Sequence, residues 1–191
     1  MLSFIKFVLK IFSKIVFFVK TVDIENIPKE GAVILAVNHT SLWDPVVLVP
    51  QVKRKMRIMA KKELFDIKPL APILRVAHAF PVNRGVTDVG AIKNALKTLK
   101  DGEIFTIFPA GTRVDNEEGA EAKSGVALIS SRAKAPVIPV AIRGGFKPFH
   151  PVTIYFGKPV MPDTEEGKKM SGEELKSFAD EIMNKINELG K

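Results

Sequence analysis

Short apolar runs alternate with amphipathic stretches along most of the chain. The apolar runs are rich in β-branched residues and predict strands over 32–37, 56–60, 77–82, 104–108, 137–142 and 152–156. Between them, apolar residues at helical spacing predict helices over 41–49, 88–99, 123–133 and 171–189, with a proline-broken loop and helix over 64–76. This alternation predicts one α/β domain with a mixed, mostly parallel sheet covered by helices.

The first 22 residues form a separate amphipathic segment, and the domain proper is predicted over 23–191. If this segment is an α-helix, its polar side chains lie on one side, and Phe, Ile, Leu and Val occupy the rest of its surface. Recurring lysines interrupt the apolar run, so the segment does not predict a membrane-spanning helix. It is typical of a helix lying on a membrane surface. The residues expected to contact the membrane are Phe4, Phe7 and Phe12 on the apolar side, and Lys6, Lys10 and Lys14 at the headgroups. A helix packed on the domain's own core, or a signal peptide, would be the alternative.

Composition narrows the classes of partner. The chain has 191 residues, no cysteine and a formal net charge of +8, which favours an anionic partner such as a phosphate-bearing substrate or an anionic lipid surface. It has 13 Phe but a single Trp and a single Tyr, which suits apolar burial better than base stacking and argues against nucleic acid as a partner. A dense basic run follows the helix at 41–49, and it could be either a solvated face or a patch for phosphates or an acidic carrier protein. Its members are Lys53, Arg54, Lys55, Arg57, Lys61 and Lys62.

A histidine and an aspartate follow the first predicted strand of the domain, in the stretch NHTSLWDP. Ser41 is a candidate N-cap for the next helix, which places His39 and Asp44 on one strand-to-helix turn. A carboxylate on one ring nitrogen would fix the imidazole tautomer and leave the other nitrogen to take a proton from a hydroxyl. The spacing therefore predicts a general base with its orienting carboxylate. The alternative is an exposed loop histidine beside a capping aspartate. The three histidines lack tight ligand spacing, so no metal site is predicted.

Two further strand ends carry groups suited to anions. FPVNRG places Arg84 beside a glycine, and FPAGTR combines a glycine-containing turn with Thr112 and Arg113. Backbone N–H groups in such a turn, with an arginine, can hold a phosphate. Each pattern is common on its own, and a surface arginine needs no such role.

Four stretches, NHTSLWDP, FPVNRG, FPAGTR and VIPV, resemble in order the four sequence blocks of the glycerolipid acyltransferases, specifically the bacterial 1-acylglycerol-3-phosphate acyltransferases. The resemblance covers about 31–157 and is most specific in the first block. It implies transfer of a fatty acyl group from an acyl carrier protein or coenzyme A thioester to the sn-2 hydroxyl of lysophosphatidic acid, giving phosphatidic acid. The reaction would take place on anionic lipid at the cytoplasmic face of the cell membrane, with no cofactor.

The same resemblance implies roles for individual residues. His39 would be the general base and Asp44 its orienting carboxylate. The residues expected to bind substrate are Asn38, Arg84, Gly111, Thr112, Arg113 and Pro139, with Arg84 on the glycerol phosphate and Pro139 on the acyl side. The acceptor hydroxyl would attack the thioester directly, so no acyl-enzyme is required and Ser41 is interpreted as a cap. Backbone N–H groups of the first or third block would stabilise the oxyanion.

One position departs from the family pattern. The third block usually reads FPEGTR, and here its glutamate is Ala110. The second block also deviates, with Pro81, Val82 and Asn83 ahead of Arg84. The change at Ala110 motivates an alternative, a membrane lipid- or carrier-binding homologue without catalysis. Further alternatives are an acyltransferase for another lysophospholipid, a metal-dependent phosphoesterase and a basic nucleic-acid-binding protein.

Overall fold

A computed structural model describes residues 2–68, 74, 78–82, 88–111, 123–163 and 168–191, which include a seven-stranded sheet. Its strands lie in the order β1-β7-β6-β2-β5-β3-β4. Their bounds are β1 Lys20–Val22, β2 Val33–Val37, β3 Met56–Lys61, β4 Phe80–Val82, β5 Ile104–Ile107, β6 Val137–Arg143 and β7 Thr153–Phe156. Every neighbouring pair is parallel except β6 with β7, so the predicted mixed, mostly parallel sheet is confirmed.

Helices cover both faces of this sheet. They are α1 Leu2–Val16, α2 Asp44–Leu48, α3 Val89–Lys100, α4 Gly125–Ala133 and α5 Gly172–Glu188. One core cluster joins α2 and Phe17 to one face of the sheet, and a second joins α3, α4 and α5 to the other face. The central strand β2 is buried along its whole length because both of its faces are covered. Its continuous apolar sequence follows from that burial.

The N-terminal segment is shorter as a helix than predicted. Helix α1 ends at Val16, Phe18 has a positive φ of 42°, and Lys20–Val22 pairs with β7 as an edge strand. The predicted boundary at residue 22 is therefore moved, because part of that segment belongs to the sheet. A strand of three residues, all of them exposed, carries no alternating apolar signal that a sequence pattern could reveal.

The helix after β2 also differs from the prediction. It begins at Asp44, whereas the sequence placed its N-cap at Ser41. The Asp44 carboxylate accepts hydrogen bonds from the backbone N–H groups of Thr40 and Ser41, at 2.9 and 2.8 Å. These bonds hold the preceding residues in a turn, so the N-cap lies two residues later than predicted, at Trp43.

Helix α1 lies on the domain with part of its polar side inward. Ser13 is fully buried and accepts a hydrogen bond from the Gln51 amide at 3.3 Å. Lys6 is half-buried and donates to the carbonyl of Val52, and burial together with nearby Lys10 lowers the pKa of Lys6. Lys6 thus turns toward the domain, which differs from the predicted headgroup contact. Apolar side chains remain exposed along the helix, namely Phe4, Phe7, Val8, Ile11, Phe12 and Ile15. Within the described part of the chain, no helix is both long and apolar enough to cross a membrane.

Half of the basic run supports the fold. Arg54 donates to the carbonyls of Pro28, Gly31 and Gly102, which joins two loops at one end of the sheet. Lys55 and Arg57 both form ion pairs with Glu103 at the start of β5. Lys61 forms an ion pair with Glu63, which leaves Lys53 and Lys62 as the other exposed cations of the run. The patch predicted for phosphates or an acidic carrier is correspondingly smaller.

Candidate active site

Asn38 follows the carboxyl end of strand β2, and its side chain continues the hydrogen bonding of the sheet. The Asn38 Nδ2 donates to the carbonyl of Ile142 at 3.0 Å, and its Oδ1 accepts from the Ile142 N–H at 2.8 Å. This reciprocal pair imitates one step of a β ladder and fastens the end of β2 to β6. The structure shows a positioning role for Asn38, and contact with a substrate stays a prediction.

The next residue, His39, forms a buried pair with Asp44. The His39 Nδ1 lies 2.8 Å from Asp44 Oδ2, which also accepts the two backbone N–H bonds of the turn. Asp44 is fully buried, and the His39 side chain retains 10% of its exposure. Because an ionised carboxylate only accepts hydrogen bonds, a neutral imidazole in this pair carries its proton on Nδ1 and has the Nε2 lone pair available. The arrangement can therefore remove a proton from a group that approaches Nε2.

An aromatic ring supports the imidazole from the adjacent strand. Phe108 follows β5 directly and stacks on His39, with ring centroids 4.2 Å apart and planes inclined by 27°. Strand β5 pairs with β2, with Ile107 opposite Ala36, which brings the two strand ends together. The carboxylate and the phenyl ring together fix the position of the imidazole. The sequence did not single out Phe108, whose only signal is its place at the end of an apolar run.

The third block makes a tight turn beside this ring. Gly111 has a φ of +72° and donates its N–H to the carbonyl of Phe108 at 2.9 Å. Ala110, at the altered family position, lies in the same turn and is partly buried. The backbone N–H of Lys123 donates to the carbonyl of Pro109 at 3.0 Å, so the chain returns to this turn just before α4. The positive φ explains the glycine, since other residues rarely adopt that conformation.

Several predicted oxyanion donors of the first block are already engaged. The N–H groups of Thr40 and Ser41 donate to Asp44, and that of Trp43 donates to the Ser41 hydroxyl at 3.2 Å. A group that already donates within the protein is a poor partner for a developing oxyanion. In the third block the Gly111 N–H is engaged as well, because it donates to the Phe108 carbonyl, so the oxyanion donors stay a prediction.

The structure leaves three predicted site residues undescribed and separates a fourth from His39. Arg84, Thr112 and Arg113 lie outside the described residues. Pro139 sits in β6 opposite Ala36 and borders a groove with Lys185 and Leu189, on the face covered by α5. His39 stacks on Phe108, which belongs to the core cluster of the opposite face. Direct contact of Pro139 with an acyl chain held at His39 is therefore not what this geometry favours.

Comparison with known proteins identifies the family. Residues 18–143, most of the chain, match the sequence model described as "Acyltransferase". The chain belongs to this acyltransferase family. The matched segment of the acyltransferase domain includes β2, the His39–Asp44 pair and the third-block turn.

Individual members of the acyltransferase family resemble the chain closely. It is 39% identical over 127 residues to a 1-acyl-sn-glycerol-3-phosphate acyltransferase of Bacillus subtilis, covering 66% of this chain and 63% of that protein. It is 34% identical over 163 residues to the enzyme of that name from Streptococcus pneumoniae, covering 82% of this chain and 60% of that protein. The matched part thus spans less than two thirds of the length of these relatives.

A solved structure shares the fold. The crystal structure of the 1-acyl-sn-glycerophosphate acyltransferase PlsC from Thermotoga maritima superposes with a TM-score of 0.70 at 26% identity. The match covers 99% of this chain and 82% of that one. The α/β architecture predicted from the sequence is therefore that of a solved acyltransferase.

Proposed function

We propose that this acyltransferase moves a fatty acyl group from an acyl thioester to the sn-2 hydroxyl of 1-acylglycerol 3-phosphate, giving phosphatidic acid. The observation that carries the proposal is the buried His39–Asp44 pair at the edge of a sheet shared with that family. The names of the relatives from Bacillus subtilis and Streptococcus pneumoniae support this choice of acceptor. The donor is an acyl carrier protein or coenzyme A thioester, and the exposed Lys53 and Lys62 would favour either of these anionic carriers.

The geometry suits direct transfer between the two substrates. The free Nε2 of His39 takes the proton of the acceptor hydroxyl as its oxygen attacks the thioester carbonyl. Asp44 stabilises the imidazolium that forms, because its Oδ2 already accepts the Nδ1 proton at 2.8 Å. When the tetrahedral intermediate collapses, the thiolate leaves and takes up the proton held by His39. The acyl group is never bonded to the protein during these steps.

The direct test is acyl transfer from a labelled acyl thioester to lysophosphatidic acid on anionic vesicles. We expect His39→Ala to fold normally and to lose about 100-fold or more in rate, the usual contribution of a general base. His150→Ala is the matched control, because His150 is exposed and its ring contacts only the carbonyl of Pro148 among the described residues. Wild-type turnover in the His39 variant would refute the assignment of the base.

A second candidate function rests on Ala110, where the family usually has a glutamate. A chain that kept the fold but lost this carboxylate could bind lipid or carrier without transferring the acyl group. Comparing this chain with its Ala110→Glu variant in the same assay separates the two functions. Turnover by both proteins would make the missing glutamate a tuning position, and turnover by the glutamate variant alone would identify the chain with Ala110 as a non-catalytic homologue.

The enzyme would act on the membrane through an apolar surface formed by α1 and the first block. Phe12 of α1 stacks on Trp43 with centroids 6.0 Å apart, and Trp43 directly precedes the catalytic Asp44. Beyond the end of α1, the exposed rings of Phe18 and Phe149 lie 6.5 Å apart and extend the surface. Exposed aromatic and aliphatic groups beside lysines suit a lipid interface. We place this contact on the cytoplasmic face, where acyl thioesters are available.

The single tryptophan provides the measurement of membrane contact. Trp43 is 41% exposed, so insertion beside it would bring its indole within reach of lipid-borne quenchers. We expect vesicles containing brominated lipid to quench Trp43 fluorescence, and we expect Phe4→Ser with Phe7→Ser to abolish that quenching. Lys134→Gln, an exposed cation at the end of α4, is the control. Unchanged fluorescence on anionic vesicles would refute membrane contact at this surface.

A further inference from the structure

Lys123 lies across the third-block turn, at the end of the strand that pairs with the strand leading to His39. A Cβ added to Gly111 would meet the Lys123 Cε and Nζ at 3.0 Å and its Cδ at 3.1 Å. The far end of the lysine therefore rests on the glycine, in the space that any larger residue would fill. Its backbone is fixed to the same turn through the bond from its N–H to the Pro109 carbonyl at 3.0 Å. The Lys123 backbone is therefore fixed to the turn, its side chain passes over Gly111, and the residue remains exposed to a ligand.

This position is one strand away from His39. The turn follows Phe108, whose ring stacks on the His39 imidazole at 4.2 Å, and neighbouring strands lie about 4.8 Å apart. The Lys123 ammonium thus lies over the turn that ends β5, one strand position from the strand that leads to His39.

The acceptor itself requires a cation close to the base. In 1-acylglycerol 3-phosphate, only two carbons and one ester oxygen separate the sn-2 oxygen from phosphorus. When His39 Nε2 holds the sn-2 hydroxyl, the phosphate must therefore lie a few bond lengths away. A lysine on the adjacent strand end meets this requirement, and a dianion beside it would be strongly attracted.

We infer that Lys123 binds the phosphate of the acceptor and thereby positions the sn-2 hydroxyl against His39. The inference rests on the proposed function and adds a binding residue to that site. Ala110 is compatible with this role, because the chain has no carboxylate at that position to compete with the phosphate for the ammonium. Within the described part of the chain, Lys123 forms no ion pair, so its charge is available to a ligand.

The test compares Lys123→Gln and Lys123→Arg with the wild type in acyl transfer on vesicles. We expect Lys123→Gln to raise the KM for lysophosphatidic acid about tenfold or more, the usual value of a hydrogen bond to a charged group, with a smaller effect on kcat. Lys123→Arg should recover most of that loss. Lys134→Gln, at the opposite end of α4, should leave both constants unchanged. Glycerol 3-phosphate, which has the phosphate without the acyl chain, should inhibit Lys123→Gln less strongly than the wild type. Its inhibition constant should rise by about the same factor as the KM for lysophosphatidic acid.

Two outcomes would overturn the inference. An unchanged KM and unchanged inhibition would show that Lys123 does not meet the phosphate. An equal loss of kcat in Lys123→Gln and Lys123→Arg, with a lower Tm, would show a structural role in the turn. Calorimetric binding of lysophosphatidic acid in neutral micelles separates this inference from the proposed function. If the wild type binds but transfers nothing, the enzyme proposal fails, and the affinity ratio of Lys123→Gln to wild type still decides the role of Lys123.

Discussion

Replacing Asp44 with Asn removes one charge while conserving the shape of the site. All three donors of the site, His39 Nδ1 and the backbone N–H groups of Thr40 and Ser41, converge on the single oxygen Oδ2 at 2.8 to 2.9 Å. Oδ1 is buried without a hydrogen-bond partner in the part of the chain that the structure describes. An asparagine can therefore keep its oxygen at Oδ2 and place its amide nitrogen where Oδ1 was. The imidazole would stay oriented but would lose the anion that stabilises its protonated form.

The cost in stability is bounded by the same geometry. A hydrogen bond to a charged group contributes about 1.5–3 kcal/mol and one between neutral groups about 0.5–1.5 kcal/mol, so each of the donors loses about 1 kcal/mol. Removing a buried charge offsets part of this sum. We expect Asp44→Asn to lower the free energy of unfolding by about 2 kcal/mol, which lowers the Tm of a domain of this size by about 4–8 °C. Asp44→Ala orphans all three donors, at about 1–3 kcal/mol each, and should be much less stable.

The assay is the rate of acyl transfer at a temperature where every variant is folded. We expect Asp44→Asn to lose about 100-fold or more in kcat because the proton-accepting step loses its counter-charge. Asp101→Asn makes the same chemical change at an exposed ion pair with Lys97 and should leave kcat unchanged. If Asp44→Asn kept a wild-type kcat with the expected small change in Tm, orientation alone would suffice and the electrostatic role of Asp44 would be refuted.

Three further predictions concern the scaffold. Arg54→Ala should lower the free energy of unfolding by about 2–4 kcal/mol, because three carbonyls lose a charged donor. The control Lys53→Ala should change it by less than about 0.5 kcal/mol. Equal effects of the two variants in urea denaturation would contradict this. Phe17→Ala should cost about 3–5 kcal/mol, since its ring is 2% exposed, and calorimetry should show a correspondingly lower Tm. Burial alone would raise the pKa of Glu103, but hydrogen bonds from Arg57 and Lys55 hold it below the usual value of 4.5. The ionised Glu103 therefore stabilises the fold above pH 4.5, and this contribution is lost as the pH falls below that value. We expect Glu103→Gln to lose less free energy of unfolding on acidification than the wild type. An unchanged dependence of stability on acidic pH would contradict this.

The local sequence was sufficient to predict those helices and strands whose apolar residues form a run or recur at a regular spacing. Apolar runs identified β2, β5 and β6 because strands buried on both faces carry few polar positions. Helix α5 was predicted from apolar residues at helical spacing, and the structure adds that Ser171 and Glu174 cap it in a capping box. His39 and Asp44 could be paired because they are separated by five residues on one turn. The edge strand β1 was missed because its three exposed residues have no such pattern.

The contacts between residues that are distant in the chain became evident only from the tertiary structure. The stacking of Phe108 on His39 and the position of Lys123 over Gly111 depend on β5 pairing with β2, which no local period encodes. The same holds for Arg54, whose carbonyl partners lie 23 to 48 residues away in the chain. Sequence periodicity reports the environment of a single element, whereas these contacts arise from strand order, so only the folded sheet could reveal them.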